Sequence, residues 1–204
     1  MNWIKEENEL YVSDNGITPS DKILSFDLDW TLIKPKSRNK FPIDKDDWEW
    51  LFPDIKTKLE EIRDCKLVIF TNQGGVAAGK QKLQDILDKC SDLNINAQFF
   101  VSTCKHGRYR KPSLFLFDLM EEKYNGDVKI DRDNSFYIGD AAGRTNPKDF
   151  SSSDLKFALN CNLNFQTPEE FFLKHTQEYS KTFQNGISLF PDTTAIIEEV
   201  CTQE

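Results

Sequence analysis

Two aspartates stand two residues apart at the end of an apolar run, in residues 23–33 (ILSFDLDWTLI). Burying an unpaired carboxylate costs free energy, so Asp27 and Asp29 indicate a place where charge is used. A third acid, Asp140, follows another apolar run more than a hundred residues later. Carboxylate oxygens are the ligands that Mg²⁺ prefers, and the ion keeps several of its waters. These acids together predict a magnesium site.

Further polar residues stand at the ends of other predicted elements. Thr71 and Asn72 end a second apolar run, and Lys111 stands before Pro112 at the start of a helical pattern. Parallel sheets place their chemistry at the carboxyl ends of the strands, so we expect these side chains to lie beside the acids. A hydroxyl group and a compact ammonium charge are suited to binding phosphoryl oxygens.

The elements that must position these residues alternate between strand and helix along the chain. Near-continuous apolar strands separated by amphipathic helices are typical of an α/β fold, a Rossmann-like parallel sheet with helices on both faces. The pattern predicts strands at residues 23–28, 65–71, 98–103 and 135–139, a short last strand at 157–160, and helices at 55–62, 80–90 and 113–123.

Composition indicates one globular domain, at residues 1–204, with 16 Phe and 29% charged residues. The N-terminal residues carry acids and lack an apolar stretch of signal-peptide length. Five cysteines without CxxC spacing indicate free thiols in a reducing compartment. We therefore expect an intracellular protein with no membrane partner, and the sequence does not distinguish nucleus from cytoplasm.

Charge is unevenly distributed along the chain. A net charge of −8 argues against a general nucleic-acid binder. Residues 34–40 and 105–111 are nevertheless concentrated basic stretches in this acidic chain. Charge runs of this kind are usually solvated loops, and these two become candidate substrate contacts only if they flank a site for a polyanion.

The ordered motifs resemble those of the haloacid dehalogenase (HAD) phosphatases. They are DLDWT at residues 27–31, TN at 71–72, Lys111, and GD at 139–140. The fuller stretches FDLD, IFTNQ, YRKP, GDAAGR, KDFS and TPEEFF are similar to the phosphatase domain of polynucleotide kinase 3′-phosphatase, from Trp3 to about Leu173. The resemblance implies a Mg²⁺-dependent phosphatase.

The same resemblance implies a role for each residue. Asp27 attacks phosphorus and forms an aspartyl-phosphate, and Asp29 protonates the leaving 3′-oxygen and then activates water. Mg²⁺ is bound by Asp27, Asp140 and the backbone carbonyl of Asp29. The remaining assignments by resemblance are Thr71, Asn72 and Lys111 for the phosphoryl group and Asp154 as a supporting acid. From local basic charge, and not from the resemblance, we expect four residues to contact the substrate: Arg110, Arg38, Lys36 and Arg144.

Two departures from the family pattern and one spacing narrow this expectation. Trp30 occupies a position where the family usually has Gly. The sequence lacks a GxxxxGK[ST] phosphate loop, so we expect no 5′-kinase domain. The intervals between the motifs leave no room for a large cap domain. An open site flanked by the two basic stretches suits the end of a polyanion.

The sequence thus predicts a polynucleotide 3′-phosphatase that restores 3′-hydroxyl groups at damaged DNA ends, upstream of a polymerase or a DNA ligase. One alternative is a small-molecule phosphatase acting on esters such as histidinol phosphate or sugar phosphates. A second alternative is a non-catalytic binder of nucleic-acid ends, against which the intact set of acids argues. The sequence leaves DNA versus RNA, the strand requirement and the oligomeric state open.

Overall fold

A seven-stranded sheet forms the centre of the protein. The computed structural model describes residues 1–177 except residues 8, 15, 17 and 147. The elements in chain order are β1 Asn2–Lys5, β2 Leu10–Asp14, β3 Ile23–Phe26, β4 Ile33–Lys34, β5 Glu49–Trp50, α1 Ile55–Glu61, β6 Lys66–Asn72, α2 Leu83–Asp92, β7 Gln98–Ser102, α3 Phe115–Lys123, β8 Phe136–Ile138, α4 Ser153–Asn160, β9 Asn164–Gln166 and α5 Pro168–Leu173. The strand order in the seven-stranded sheet is β1-β2-β7-β6-β3-β8-β9.

Five neighbouring strands are parallel and two are not. β7, β6, β3, β8 and β9 pair in parallel, and β2 joins the β7 edge antiparallel and carries β1 outside it. β3 therefore lies between β6 and β8. The carboxyl ends of these three strands meet at one edge of the sheet, which positions the residues that follow them.

Helices cover both faces of the sheet because the central strands are apolar on both sides. In β6, Leu67 and Ile69 face the core shared with α1, α2 and α5, while Val68 and Phe70 face the core shared with α3 and α4. Successive side chains of a strand point to opposite faces, so a strand buried on both sides needs an unbroken apolar run. The predicted α/β fold is confirmed.

Two details of the predicted fold differ from the structure. Residues 157–160 belong to the helix α4, so the predicted short strand there is wrong, and the last strand is β9. The run Phe157–Ala158–Leu159 is too short for its periodicity to separate a strand from a buried helix. The antiparallel edge made by β1 and β2 was not predicted.

Small elements fill the space where a cap domain would be inserted. Between β3 and β6 lie the two-stranded β4–β5 ribbon and α1, and the described chain forms no separate cap. The predicted domain extends to residue 204, and residues 178–204 lie outside the described residues. In the described part, none of the helices is long and apolar enough to cross a membrane.

Candidate active site

The predicted site residues gather at the carboxyl edge of the central strands. Asp27 directly follows β3, and its backbone N–H donates to the carbonyl of Ile138 at 2.9 Å. Asp140 stands two residues after β8, and Thr71 is the penultimate residue of β6. Three adjacent strands thus bring together side chains that are far apart in the sequence.

Lys111 links residues from several elements at this edge. Its side chain is buried, and its ammonium group donates three hydrogen bonds, each 2.7 Å long, to Asp27, Asp154 and the hydroxyl of Tyr137. Asn72 fixes the Lys111 backbone, because its side chain accepts from the Lys111 N–H at 3.0 Å and donates to the Lys111 carbonyl at 3.1 Å. Burial alone would lower the pKa of Lys111, but the two carboxylates outweigh it and raise the pKa. The lysine stays charged.

Three carboxylates form a compact acidic cluster. One oxygen each of Asp27, Asp140 and Asp154 lies within 4.8 Å of the other two. Burial raises the pKa of Asp27 to about 7 against the opposing effect of Lys111. Burial and the other two carboxylates raise the pKa of Asp140 well above its ordinary value. Buried like charges at this spacing are costly without a cation, and an all-oxygen donor set fits a hard divalent ion.

Asp154 projects into the cluster from the first turn of α4. One carboxylate oxygen accepts from Lys111 at 2.7 Å and from the Tyr137 hydroxyl at 3.1 Å, and the other accepts from the Ala141 N–H at 3.1 Å. Gly139 makes this approach possible, since a Cβ at that position would lie 2.5 Å from the Asp154 side chain. The predicted supporting acid is thus part of the acidic cluster itself.

Asp29 lies beside this cluster and has its own partners. Gln73 donates to one carboxylate oxygen at 2.6 Å, and the ammonium of Lys89 donates to the other at 3.1 Å. The Gln73 amide also donates to the Thr71 hydroxyl at 2.8 Å. Burial opposes protonation of Lys89, but the Asp29 carboxylate raises its pKa overall. The side chain of Asp29 is therefore held apart from the acidic cluster, and a metal contact would have to come from its backbone carbonyl.

Trp30 stands at the position where the family resemblance leads us to expect Gly. Its φ is 61°, in the left-handed region that favours glycine. Its backbone N–H donates to the Ile33 carbonyl at 2.7 Å, and its indole donates to the Lys40 carbonyl at 3.1 Å. Trp30 follows Asp29 directly in the chain and is 38% exposed.

The backbone around Asp140 is held from two sides. The Asp140 N–H donates to the Thr31 hydroxyl at 3.0 Å, and the Arg144 guanidinium donates to the Asp140 carbonyl at 3.0 Å. Arg144 is buried and also pairs with Asp149 at 2.9 Å and Glu169 at 3.1 Å. These contacts favour a positioning role for Arg144 over the predicted contact with substrate.

The other predicted substrate residues lie in the two basic stretches. Arg38 is exposed, and the ammonium of Lys36 donates to the Asp46 carbonyl at 3.2 Å. Asp47 braces this loop by accepting from the Ser37 N–H at 2.7 Å. Arg110 is partly buried, and its guanidinium is 3.4 Å from the Cys104 carbonyl. Their contact with a substrate stays a prediction.

Sequence reasoning missed three polar residues that surround the acids. Gln73 follows Thr71 and Asn72 directly, and its place beside this motif could have identified it. Tyr137 and Lys89 lie in a buried strand and on the inner side of a helix, where an apolar side chain is the usual expectation. A lysine on the buried side of an amphipathic helix was the available signal for Lys89.

Comparison with protein families gives one match that spans most of the described chain. Residues 22–172 match the family described as polynucleotide kinase 3 phosphatase. The match includes all of the acids, Lys111 and both basic stretches.

Related proteins agree with this match. A 20.8 kDa uncharacterized protein of Autographa californica nuclear polyhedrosis virus is 40% identical over 180 residues, covering 83% of this chain and 96% of that protein. The polynucleotide 3′-phosphatase ZDP of Arabidopsis thaliana is 37% identical over 191 residues, covering 84% of this chain and 27% of that protein. The chain thus spans about a quarter of the plant enzyme's length.

A solved structure supports the fold. The D,D-heptose 1,7-bisphosphate phosphatase of B. bronchiseptica, complexed with magnesium and phosphate, has a TM-score of 0.54 and 17% identity, with 90% of this chain and 99% of that chain covered. At this identity the likeness concerns the fold alone.

Proposed function

Because the chain belongs to the polynucleotide kinase 3 phosphatase family, we propose that it hydrolyses the terminal 3′-phosphate of a polynucleotide at the acidic edge of its sheet. The observation that carries this proposal is the meeting of Asp27, Asp140 and Asp154 around the ammonium of Lys111. A phosphate monoester is inert, so an enzyme must supply a nucleophile, charge neutralisation and an acid for the leaving oxygen. This edge offers all three.

The first half-reaction uses Asp27 as the nucleophile. Its carboxylate oxygen attacks phosphorus, the bond from phosphorus to the 3′-oxygen breaks, and a proton from Asp29 passes to that oxygen. The products are a free 3′-hydroxyl group and an aspartyl-phosphate. Lys111, within 2.7 Å of Asp27, orients the attacking carboxylate and neutralises charge on the phosphoryl oxygens. Thr71 offers a hydroxyl group to the same oxygens.

The second half-reaction releases phosphate. Asp29, now a carboxylate, removes a proton from a water molecule whose oxygen attacks phosphorus, and the bond to Asp27 breaks. Inorganic phosphate leaves and both aspartates return to their starting states. Asp29 is suited to this exchange because it lies outside the acidic cluster and is partly exposed, so a proton can reach and leave it.

The acidic cluster is the proposed Mg²⁺ site. The Asp27 and Asp140 carboxylates would hold the ion together with the Asp29 backbone carbonyl, and Asp154 would support the site by fixing Lys111. Bound there, Mg²⁺ relieves the repulsion between an attacking carboxylate and an anionic phosphoryl group. The donor set fits this ion, since all of the side-chain atoms are carboxylate oxygens.

The substrate class and setting belong to the same proposal. The described residues form no cap domain over the site, and an open site with basic loops suits the end of a DNA strand. Arg38 and Arg110 are the leading candidates to contact its backbone. Removal of a 3′-phosphate prepares an end for a polymerase or a ligase, which places the reaction in DNA repair. Four free cysteines in the described chain accord with a reducing, intracellular setting.

Phosphate release tests the proposal. We expect turnover of a 3′-phosphorylated DNA oligonucleotide in the presence of Mg²⁺, loss of turnover with a chelator, and much slower release from histidinol phosphate and sugar phosphates. Asp27→Asn should lower kcat by about 10³-fold or more while the protein stays folded. Faster hydrolysis of the small esters than of the oligonucleotide would favour a small-molecule phosphatase. Supplying ATP and a 5′-hydroxyl end should give no phosphoryl transfer.

A further inference from the structure

Lys89, a buried lysine like Lys111, pairs with Asp29, the second aspartate of the DLD motif. Lys89 lies on the inner side of α2 and its side chain is 1% exposed. Its ammonium group is 3.1 Å from the nearer carboxylate oxygen of Asp29. A buried ammonium is costly unless it is paired, so the fold maintains this contact against a real penalty.

Lys89 lies among apolar residues of α2, where an apolar side chain would fill the same space. The neighbouring buried residues of α2 are Ile86, Leu87 and Cys90, and all of them join the same apolar core. Replacing a buried ion pair by apolar residues is often neutral or stabilising, so stability alone gives no reason for a lysine here. A role at the site does give one.

The geometry at Asp29 identifies that role. Gln73 donates to one oxygen at 2.6 Å and Lys89 to the other at 3.1 Å, so both oxygens are fixed and the plane of the carboxylate is set. Gln73 reaches Asp29 from the end of β6, and Lys89 reaches it from α2. Two donors on separate elements restrain rotation of the carboxylate more strongly than either alone.

We propose that Lys89 is a positioning residue that holds Asp29 in the orientation needed for proton transfer to the leaving oxygen. This inference rests on the proposed function, in which Asp29 is the acid and then the base. Lys89 acts through Asp29 and does not itself contact the reacting atoms. Loss of the lysine therefore slows only the steps that need proton transfer.

Leaving-group dependence separates this role from a structural one. A 3′-oxygen of a nucleotide is a poor leaving group and needs a proton, whereas an activated aryl oxygen such as p-nitrophenolate does not. Because the second half-reaction also uses Asp29 and is common to both substrates, the comparison uses kcat/KM, which includes only the steps up to release of the leaving group. For Lys89→Met we expect kcat/KM for a 3′-phosphorylated oligonucleotide to fall by about tenfold or more, with kcat/KM for p-nitrophenyl phosphate changed less than about threefold. Asp29→Asn should show the same selectivity with a larger loss.

Lys66→Met is the matched control, because it also removes a buried ammonium but at the opposite end of β6 from Thr71. Lys66→Met should leave unchanged the ratio of kcat/KM for the oligonucleotide to kcat/KM for p-nitrophenyl phosphate. Lys89→Arg, which keeps a charged donor, should restore part of the loss, and Lys89→Gln provides a second test if the methionine variant fails to fold.

The possible failures are distinguishable. If the wild-type protein does not hydrolyse the oligonucleotide, the proposed function fails. If the wild type is active and the folded Lys89 variants lower kcat/KM equally for both substrates, or for neither, the positioning role is wrong. Thermal unfolding of every variant establishes which proteins are folded.

Discussion

The hydroxyl group of Tyr137 is the most informative single group to remove. It accepts from the Lys111 ammonium at 2.7 Å and donates to Asp154 at 3.1 Å, and the whole side chain is buried. Tyr137→Phe removes both contacts and keeps the ring that packs edge-on against Phe157, with ring centroids 5.0 Å apart. The change therefore tests the polar network without disturbing the core.

The expected cost follows from the partners of this hydroxyl group. The partners are a buried ammonium and a buried carboxylate, and hydrogen bonds to groups of this kind contribute about 1.5–3 kcal/mol each. Loss of both should therefore lower the free energy of unfolding by about 3–6 kcal/mol. Lys111 keeps Asp27 and Asp154, each 2.7 Å away, so catalysis should survive. If poorer orientation of Lys111 raised the activation free energy by about 1.4 kcal/mol, kcat would fall by about tenfold.

Tyr109→Phe is the matched control. The Tyr109 hydroxyl also joins two charged groups, accepting from Arg108 at 2.7 Å and donating to Glu7 at 3.0 Å. Those side chains are 62% and 77% exposed, so water can replace the lost contacts and the free energy of unfolding should change by less than about 1 kcal/mol. Urea unfolding measures both variants. Equal losses in the two variants would refute the reasoning from burial.

Three further expectations concern other parts of the molecule. Gly139→Ala should abolish most activity, measured as phosphate release, because the added Cβ would lie 2.5 Å from the buried Asp154 side chain; activity near wild type would contradict this steric argument. Burial lowers the pKa of Lys66 to about 8, below its ordinary value of 10.5. The unfolded chain then binds the extra proton between pH 8 and 10.5, so the wild type should gain stability over Lys66→Met as the pH rises through that window, by on the order of 2–3 kcal/mol. Urea unfolding at pH 7.5 and pH 10 measures it, and a constant difference would mean that the lysine is not desolvated. Replacing Arg38 and Arg110 by Ala should lower kcat/KM for the oligonucleotide by about 10- to 100-fold and make its salt dependence shallower, whereas Arg38→Ala alone should spare an aryl phosphate; parallel losses on both substrates would identify these loops as solvated surface.

The sequence was sufficient to predict the central parallel strands β3, β6, β7 and β8 and the edge where the polar residues meet. Apolar runs ending in polar residues located the ends of β3, β6 and β8, because a strand buried on both faces leaves few other places for acids. Lys111 was predicted as a site residue from its place in the order of the motifs. The parallel topology then required these residues to meet.

The surroundings of the acids could not be predicted because they depend on tertiary packing. Lys89 and Tyr137 stand in apolar stretches, and nothing local shows that their polar tips reach Asp29 and Asp154. Arg144 belongs to a motif that favoured substrate contact, yet its guanidinium hydrogen-bonds four partners, Asp149, Glu169, Gln177 and the Asp140 carbonyl. Such contacts are set by the distance between elements that are remote in the chain.

The central place of β3 affects how quickly an active enzyme can form. Leu24 of β3 pairs with Leu67 on one side and with Phe136 on the other, so the strand that leads to the proposed nucleophile, Asp27, needs two distant segments before its pairing is complete. Closing such loops is slow, and parallel pairing brings its reward late in folding. Helices, by contrast, form from local contacts. On dilution from denaturant, helical circular dichroism should therefore return before phosphatase activity, and a nascent chain should acquire activity only after β8 has joined the sheet.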